Sequence, residues 1–410
     1  MEQFTITRLG HQGDGIADGP VYAPRTLPGE VVSAVRNGAS LADIRIETPS
    51  DSRVKPVCPH YKSCGGCALQ HASDDFVAEF KVDVVRQALA AQDIHTEFRP
   101  ISTSPPRSRR RATLSARRTK KGVLVGFHAR ASDTITEIPN CHLLSPEILA
   151  ARPAIADLAL AGASRKGALA VTVTQSENGL DVLVRGGKPL DGPLQISLAG
   201  IADRHDLARL TWDDEIIVTR RNPVQRFGSA TVTPPPGAFL QATLTGETQL
   251  LVAVEEATAG AGRIIDLFSG CGTFALPLAQ QAEAHAVEGD RAMTQALDKG
   301  WRHAEGLKRV TVEARDLFRN PILAEDLAGY DAAVIDPPRA GAAAQTEQLA
   351  SAGIPRIAFV SCNPVTFARD AKTLISAGYR LDWVQVVDQF RWSAHVELAA
   401  RFTFSHMAND

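Results

Sequence analysis

The period of the hydrophobic positions changes along the chain. Over the first fifty residues short apolar pieces, Phe4-Thr5-Ile6, Ile16-Ala17, Val21-Tyr22-Ala23 and Val31-Val32, are separated by Gly10, Gly13, Gly15 and Gly29. Short strands joined by tight turns predict a small β-barrel over 1–52. From Asp74 to about Ala91 the period lengthens to that of a helix, with Phe76, Phe80, Val84 and Leu89 on related faces. Between Arg111 and about Val218 the pattern is strands with a few helices, among them alanine-rich 155–163. Pro234-Pro235-Pro236-Gly237 then breaks the chain ahead of a helix expected over 239–257. After Gly262, strand-length apolar runs at 263–268, 284–288, 310–314, 332–335, 357–361, 383–387 and 397–404 alternate with helical segments that include 273–281 and 291–304. That alternation is the mark of a doubly wound α/β sheet. Three units are expected: a barrel over 1–52, a central α+β domain over 53–225 and an α/β domain over 226–410.

A chain of 410 residues exceeds one ordinary core, and 44% hydrophobic with 22% charged residues is a globular balance, which excludes a fibrous or wholly disordered chain. No apolar stretch approaches the ~20 residues that span a bilayer, and the start lacks the basic and apolar regions of a signal peptide. The expectation is a cytoplasmic protein without membrane contact. A net charge of −2 argues against indiscriminate polyanion binding. Yet Arg107, Arg109, Arg110, Arg111, Arg117, Arg118, Lys120 and Lys121 fall in one stretch without an acidic residue, and predict a phosphate-binding surface carried on paired strands.

The chemistry concentrates in the last third. In Phe359-Val360-Ser361-Cys362-Asn363-Pro364 a cysteine stands where an apolar strand gives way to a helix start, with Asn363 as cap and Pro364 in the first turn. A thiol at a helix N-terminus sits in a positive field expected to lower its pKa, the condition for a nucleophile. Asp266-Leu-Phe-Ser-Gly-Cys-Gly-Thr273 is a glycine turn after a strand, and Glu288 ends the next strand, where a carboxylate can accept both hydroxyls of a ribose. G-x-G without a third glycine favours an adenosyl ligand lacking a pyrophosphate. Asp316 and Asp336 follow two further strands, the latter opening the rigid Asp336-Pro-Pro-Arg339 loop.

These pieces constrain the reaction. Carbon 5 of uracil is a poor nucleophile; addition of Cys362 to carbon 6 gives it enolate character, and a base must later remove its proton. Glu397, among Val396, Leu398, Ala399 and Ala400, is the candidate base, since a carboxylate in an apolar setting needs a reason. Separately, Cys58-x5-Cys64-x2-Cys67 with Cys141 offers four thiolates, suited to zinc or to an iron–sulfur cluster, and the spacing leaves both open. Disulfides are not expected without an export signal.

In these motifs, and in Asp388-Gln-Phe390 leading to His395-Val-Glu397, the chain resembles the RNA (uracil-5-)methyltransferases over nearly its whole length. The resemblance implies a C-terminal Rossmann-like class I S-adenosylmethionine (SAM) methyltransferase domain, an N-terminal barrel of the TRAM/OB-like type and a central α+β domain with a cysteine-ligated cluster. It implies Cys362 as nucleophile, Glu397 as base, and SAM contacts from Gln241, Phe268, Glu288, Asp316 and Asp336. The branch with this cysteine spacing implies a [4Fe-4S] cluster on Cys58, Cys64, Cys67 and Cys141, with zinc as the alternative, and 23S rRNA as substrate. Competing readings are a tRNA uridine-5 methyltransferase and an RNA-binding iron–sulfur protein with a degenerate methyltransferase domain. No obligatory protein partner is evident. Arg391, Phe359 and Thr243 depart from the family pattern, which usually has proline, tyrosine and asparagine there.

Overall fold

The computed structural model describes residues 1–405. Strands Glu2–Leu9, Gly15–Ala17, Val21–Ala23, Val31–Asn37 and Ser40–Thr48 close into a barrel around Ile6, Val21, Val32 and Leu41, as the glycine-punctuated pattern predicts. A seven-stranded sheet, antiparallel except for one pairing, follows over Arg111–Thr219 with helices Arg152–Gly162 and Gly192–Arg204 packed on it.

The last third forms an eight-stranded sheet. Numbered by sequence within this unit, its seven C-terminal strands lie in the order 3-2-1-4-5-7-6, with Leu398–Phe404 antiparallel to both neighbours. The eighth strand is Glu97–Thr103, which pairs in parallel with Tyr379–Asp388 at the edge. Helix Asp74–Ala90 packs beside it against the same core. Residues 74–103, assigned by sequence to the central unit, thus build part of the C-terminal one. The correction has a physical cause: the partners are strands and helices almost three hundred positions away, invisible to local patterning.

Helix Asp74–Ala90 also buries a different face from the one its aromatics suggest. Val77, Lys81, Val85 and Leu89, each four residues apart, point inward, while Phe76 and Phe80 are half-buried. The buried Lys81 ammonium meets Asp388 at 2.5 Å and donates to the carbonyl of Phe390 at 3.1 Å. The helix expected over 239–257 begins later, at Leu244, because Thr243 is extended and caps it by accepting from the Gly246 N–H at 2.9 Å. The chain resumes as expected through the strands Arg263–Leu267, Ala332–Ile335 and Arg356–Ser361.

Candidate active site

In an open α/β sheet, ligands collect outside the carboxyl ends of the strands, near the point where strand order reverses. Here Phe268, Glu288, Asp316, Asp336 and Cys362 follow five successive parallel strands, and Glu397 immediately precedes the antiparallel one, which brings it to the same edge. All six line one cavity of about 1840 Å³ that extends past Arg339 and His395 to the barrel and the cysteine-rich loop. Gln241 lies just behind its wall.

The glycine turn is held open from within. Phe268 has φ of 63°, a left-handed conformation that side chains rarely adopt, and its ring packs on Phe318 at 5.4 Å. Glu288 accepts from the Gly270 N–H at 3.0 Å and from the Asp290 N–H at 2.9 Å, so the carboxylate expected at a ribose also shapes the loop. Asp316 accepts from the Phe318 N–H at 3.0 Å.

Cys362 sits one residue before the cap of helix Pro364–Ser376. Asn363 Oδ1 accepts from the Val365 N–H at 3.1 Å, and its Nδ2 donates to the Arg339 carbonyl at 2.8 Å, locking the cysteine loop to the Asp-Pro-Pro-Arg loop. The expectation that the helix field lowers the thiol pKa is not met. Burial, then the Glu397 and Asp336 carboxyls, push Cys362 up to about 11, against a smaller opposing effect of Arg339. A helix end supplies only a partial charge, which desolvation of the thiol and then the carboxyls of buried Glu397 and half-buried Asp336 outweigh. Burial also raises Glu397, with Asp336 adding to it, and burial raises Asp336.

Behind the cavity a hydrogen-bonded chain joins the two carboxyls. Gln389 Nε2 donates to Glu397 Oε2 at 2.6 Å and to Gln241 Oε1, Gln389 Oε1 accepts from the Ala242 N–H at 2.7 Å, and Gln241 Nε2 approaches Asp336 Oδ2 at 3.4 Å. Sequence reading noted Asp388-Gln-Phe390 as a motif but gave Gln389 no role; a glutamine between an apolar strand and a loop was the available signal. Arg391, one of the departures from the family pattern, is not among the cavity-lining residues. Arg391 instead pairs with Asp74 and donates to the Ser104 carbonyl at 3.2 Å. The basic stretch is likewise divided. Arg110 forms a buried ion pair with Glu247, Arg111 donates to the Gly237 carbonyl at 3.1 Å, and Lys120 and Lys121 at the hairpin tip are exposed.

Cys58, Cys64, Cys67 and Cys141 all line one small cavity of about 20 Å³ with Tyr61, Gln70 and Phe127. Burial raises the pKa of Cys64, of Cys141 and, to about 12, of Cys67, and the sulfurs raise one another. Among the described residues no group of three His, Cys, Asp or Glu side chains stands arranged to hold a metal ion. The sulfur-only donor set is nonetheless chemically suited to a soft metal or an iron–sulfur centre. All six cysteines are free thiols.

The strand order and the ligand edge define an α/β fold of the SAM-dependent methyltransferase class. Residues 302–402 match the family model tRNA (Uracil-5-)-methyltransferase. An uncharacterized RNA methyltransferase of Rhizobium meliloti is 44% identical over 97% of this chain and 98% of its own length. The 23S rRNA (uracil(1939)-C(5))-methyltransferase RlmD of Shewanella frigidimarina is 33% identical over 97% of this chain and 95% of its own. The chain belongs to the RNA (uracil-5-)methyltransferase family. Its fold is shared with the Pyrococcus abyssi tRNA (uracil-54, C5)-methyltransferase solved with S-adenosyl-L-homocysteine, at a TM-score of 0.77 and 23% identity over 98% of this chain and 99% of that one.

Proposed function

We propose that this enzyme forms 5-methyluridine in 23S rRNA through a covalent adduct between Cys362 and carbon 6 of the target uracil. The observation that carries the reading is the meeting of Cys362, Asp336 and Glu397 at one sheet edge, in a cavity large enough for an adenosyl group and an extruded base. Bound SAM supplies an electrophilic methyl group. Phe268, Glu288, Asp316 and Asp336 at the cavity wall are the residues that would hold it, with Gln241 behind them bonded to Asp336. Cys362 gives its proton to water and its sulfur bonds carbon 6; the electron pair of the 5,6 double bond moves to carbon 5, which would take the methyl as the sulfonium carbon-sulfur bond breaks and S-adenosyl-L-homocysteine departs. Glu397 then accepts the remaining carbon 5 proton, the double bond re-forms, and the sulfur leaves carbon 6 as thiolate. One proton is released for each methyl transferred.

Ribosomal RNA is favoured over tRNA by the near-full-length likeness to the RlmD enzyme together with the four clustered cysteines. In this reading Cys58, Cys64, Cys67 and Cys141 hold a [4Fe-4S] cluster that is structural or touches RNA, and the barrel over 1–52 with the central sheet holds flanking RNA. Iron and sulfide content after purification without oxygen separates that cluster from zinc. The decisive experiment offers the enzyme SAM with 5-fluorouridine-substituted rRNA fragments and tRNA. Fluorine at carbon 5 cannot leave as a proton does, so a Cys362-dependent, denaturation-resistant complex is expected with rRNA. An adduct with tRNA alone would reassign the substrate, and none with either would overturn the mechanism.

A further inference from the structure

We propose that Gln389 is a positioning residue for the base, an amide locked in one orientation that holds the Glu397 carboxylate aimed and ready to accept a proton. This rests on the reading of Glu397 as base.

The lock comes from hydrogen-bond inventory. A glutamine amide offers one acceptor oxygen and two N–H donors, and its two faces are hard to tell apart unless the partners decide. Here they do. The partner of Gln389 Oε1 is the backbone N–H of Ala242, which can only donate. Nε2 is thereby directed toward two acceptors, Gln241 Oε1 and Glu397 Oε2. Both donors and one of the two lone pairs of the oxygen are used, and Gln389 is 1% exposed, so bulk water does not compete for them. The same bond orients Gln241, whose amide nitrogen then faces Asp336.

The surroundings are shaped to this side chain. A Cβ built on Gly246 would stand 2.6 Å from Gln389 Cβ and 3.1 Å from its Oε1, so only glycine lets the first turn of helix Leu244–Ala257 pack this close. Behind it the buried Arg110–Glu247 pair fixes the same turn, and the Lys81–Asp388 pair fixes the residue before Gln389.

The groups facing Glu397 explain why it needs such a donor. Asp336 adds negative charge from one strand end, Cys362 would add it as thiolate from the next, and Arg339 and His395 line the same cavity. Burial and Asp336 favour the neutral acid, while the Gln389 hydrogen bond favours the ionised form that can accept a proton. Losing it moves the Glu397 pKa up, and with it the pH at which proton removal reaches half its maximum.

The test compares wild type, Gln389→Met and Gln389→Glu in single-turnover methylation from pH 6 to 9.5, together with 5-fluorouridine adduct formation and SAM calorimetry. Gln389→Met keeps the chain length without the donors. It should form the fluorouridine adduct at wild-type extent, because that needs Cys362 and not the base. Methylation near pH 7 should fall about 10- to 100-fold and recover as pH rises, with the half-maximum displaced upward by about one unit or more. Gln389→Glu places a second carboxyl against Glu397 and should displace the profile further; it keeps the test alive if the methionine variant does not fold. A loss that is equal at every pH, or an unmoved half-maximum in whichever variant folds, overturns the inference. Glu397→Gln read in the same assay separates the two readings: if it turns over normally the base assignment itself has failed, whereas a slow Glu397→Gln beside an unshifted Gln389→Met profile removes only Gln389.

Discussion

The protein holds two cysteine environments at opposite ends of one large cavity, which Cys64 and Cys67 line as well as Cys362, and they differ in what stands beside the sulfur. Cys362 stands alone at a sheet edge with two carboxyls, an arginine and a large open cavity around it. Cys58, Cys64, Cys67 and Cys141 face one another across a space of about 20 Å³ walled by Tyr61, Ile138 and Phe127. Desolvation raises the pKa of Cys362 and, in the second set, of Cys64, Cys67 and Cys141. What separates them is the neighbour: the Cys362 sulfur has carboxyls beside it, as the proposed covalent chemistry requires, whereas the other four have sulfurs beside them, the donor set of the proposed cluster.

That contrast can be broken most sharply by removing the proposed nucleophile. Cys362→Ala should lower methylation by about 10⁴-fold or more while SAM binding and thermal unfolding stay close to wild type; residual turnover of even one tenth would strip Cys362 of its role. Next comes Glu397→Gln, expected to slow turnover by about 10² to 10⁴-fold and to let a covalent RNA complex accumulate on denaturing gels. A slow variant without accumulated complex would place the block before the adduct. A third, smaller effect lies in pH. With Cys362 pushed up to about 11, alkylation of this thiol by iodoacetamide in the RNA-free enzyme should keep accelerating well above pH 9, and at pH 8 run about 100-fold slower than an unperturbed thiol. A rate that levels off below pH 8 would restore the helix-field expectation. The mildest change is Cys67→Ser, which sets a hydroxyl in the desolvated cysteine cavity; a loss of about 1 to 3 kcal/mol in unfolding free energy is expected, with SAM affinity retained. Lost SAM binding there would mean that the two environments are not separate.

The sequence discloses these two regions unequally. The active edge was legible because each of its motifs directly follows a strand with a clear apolar run, and a doubly wound sheet delivers all such positions to one side. Phe268, Glu288, Asp316, Asp336 and Cys362 therefore line the same cavity that their motifs suggest. The cysteine set was legible as a set, from spacing, but its geometry was not. Long-range partners escaped altogether. Lys81, which the helix pattern of Phe76, Phe80, Val84 and Leu89 leaves out, is buried against Asp388, 307 positions on. Glu247 and Arg110, 137 apart, hide their pairing in the same way, so a basic stretch that reads as a uniform phosphate grip is partly internal scaffolding. The direction of the Cys362 pKa escapes for the same reason: the helix start is local, whereas the burial that raises it most, and then Glu397 and Asp336, come from distant parts of the chain.

The parallel pairing of strand Glu97–Thr103 with Tyr379–Asp388 has a consequence for how the molecule is born. Gln385 and Pro100, in contact across that pair, are 285 residues apart. On a ribosome adding ~5 to 20 residues per second, the early strand waits roughly 15 to 60 seconds for its mate. During that interval an unpaired edge and the apolar face of helix Asp74–Ala90 are exposed to the cell, next to the thiols at 58, 64 and 67, before the chain that will shelter them has been made.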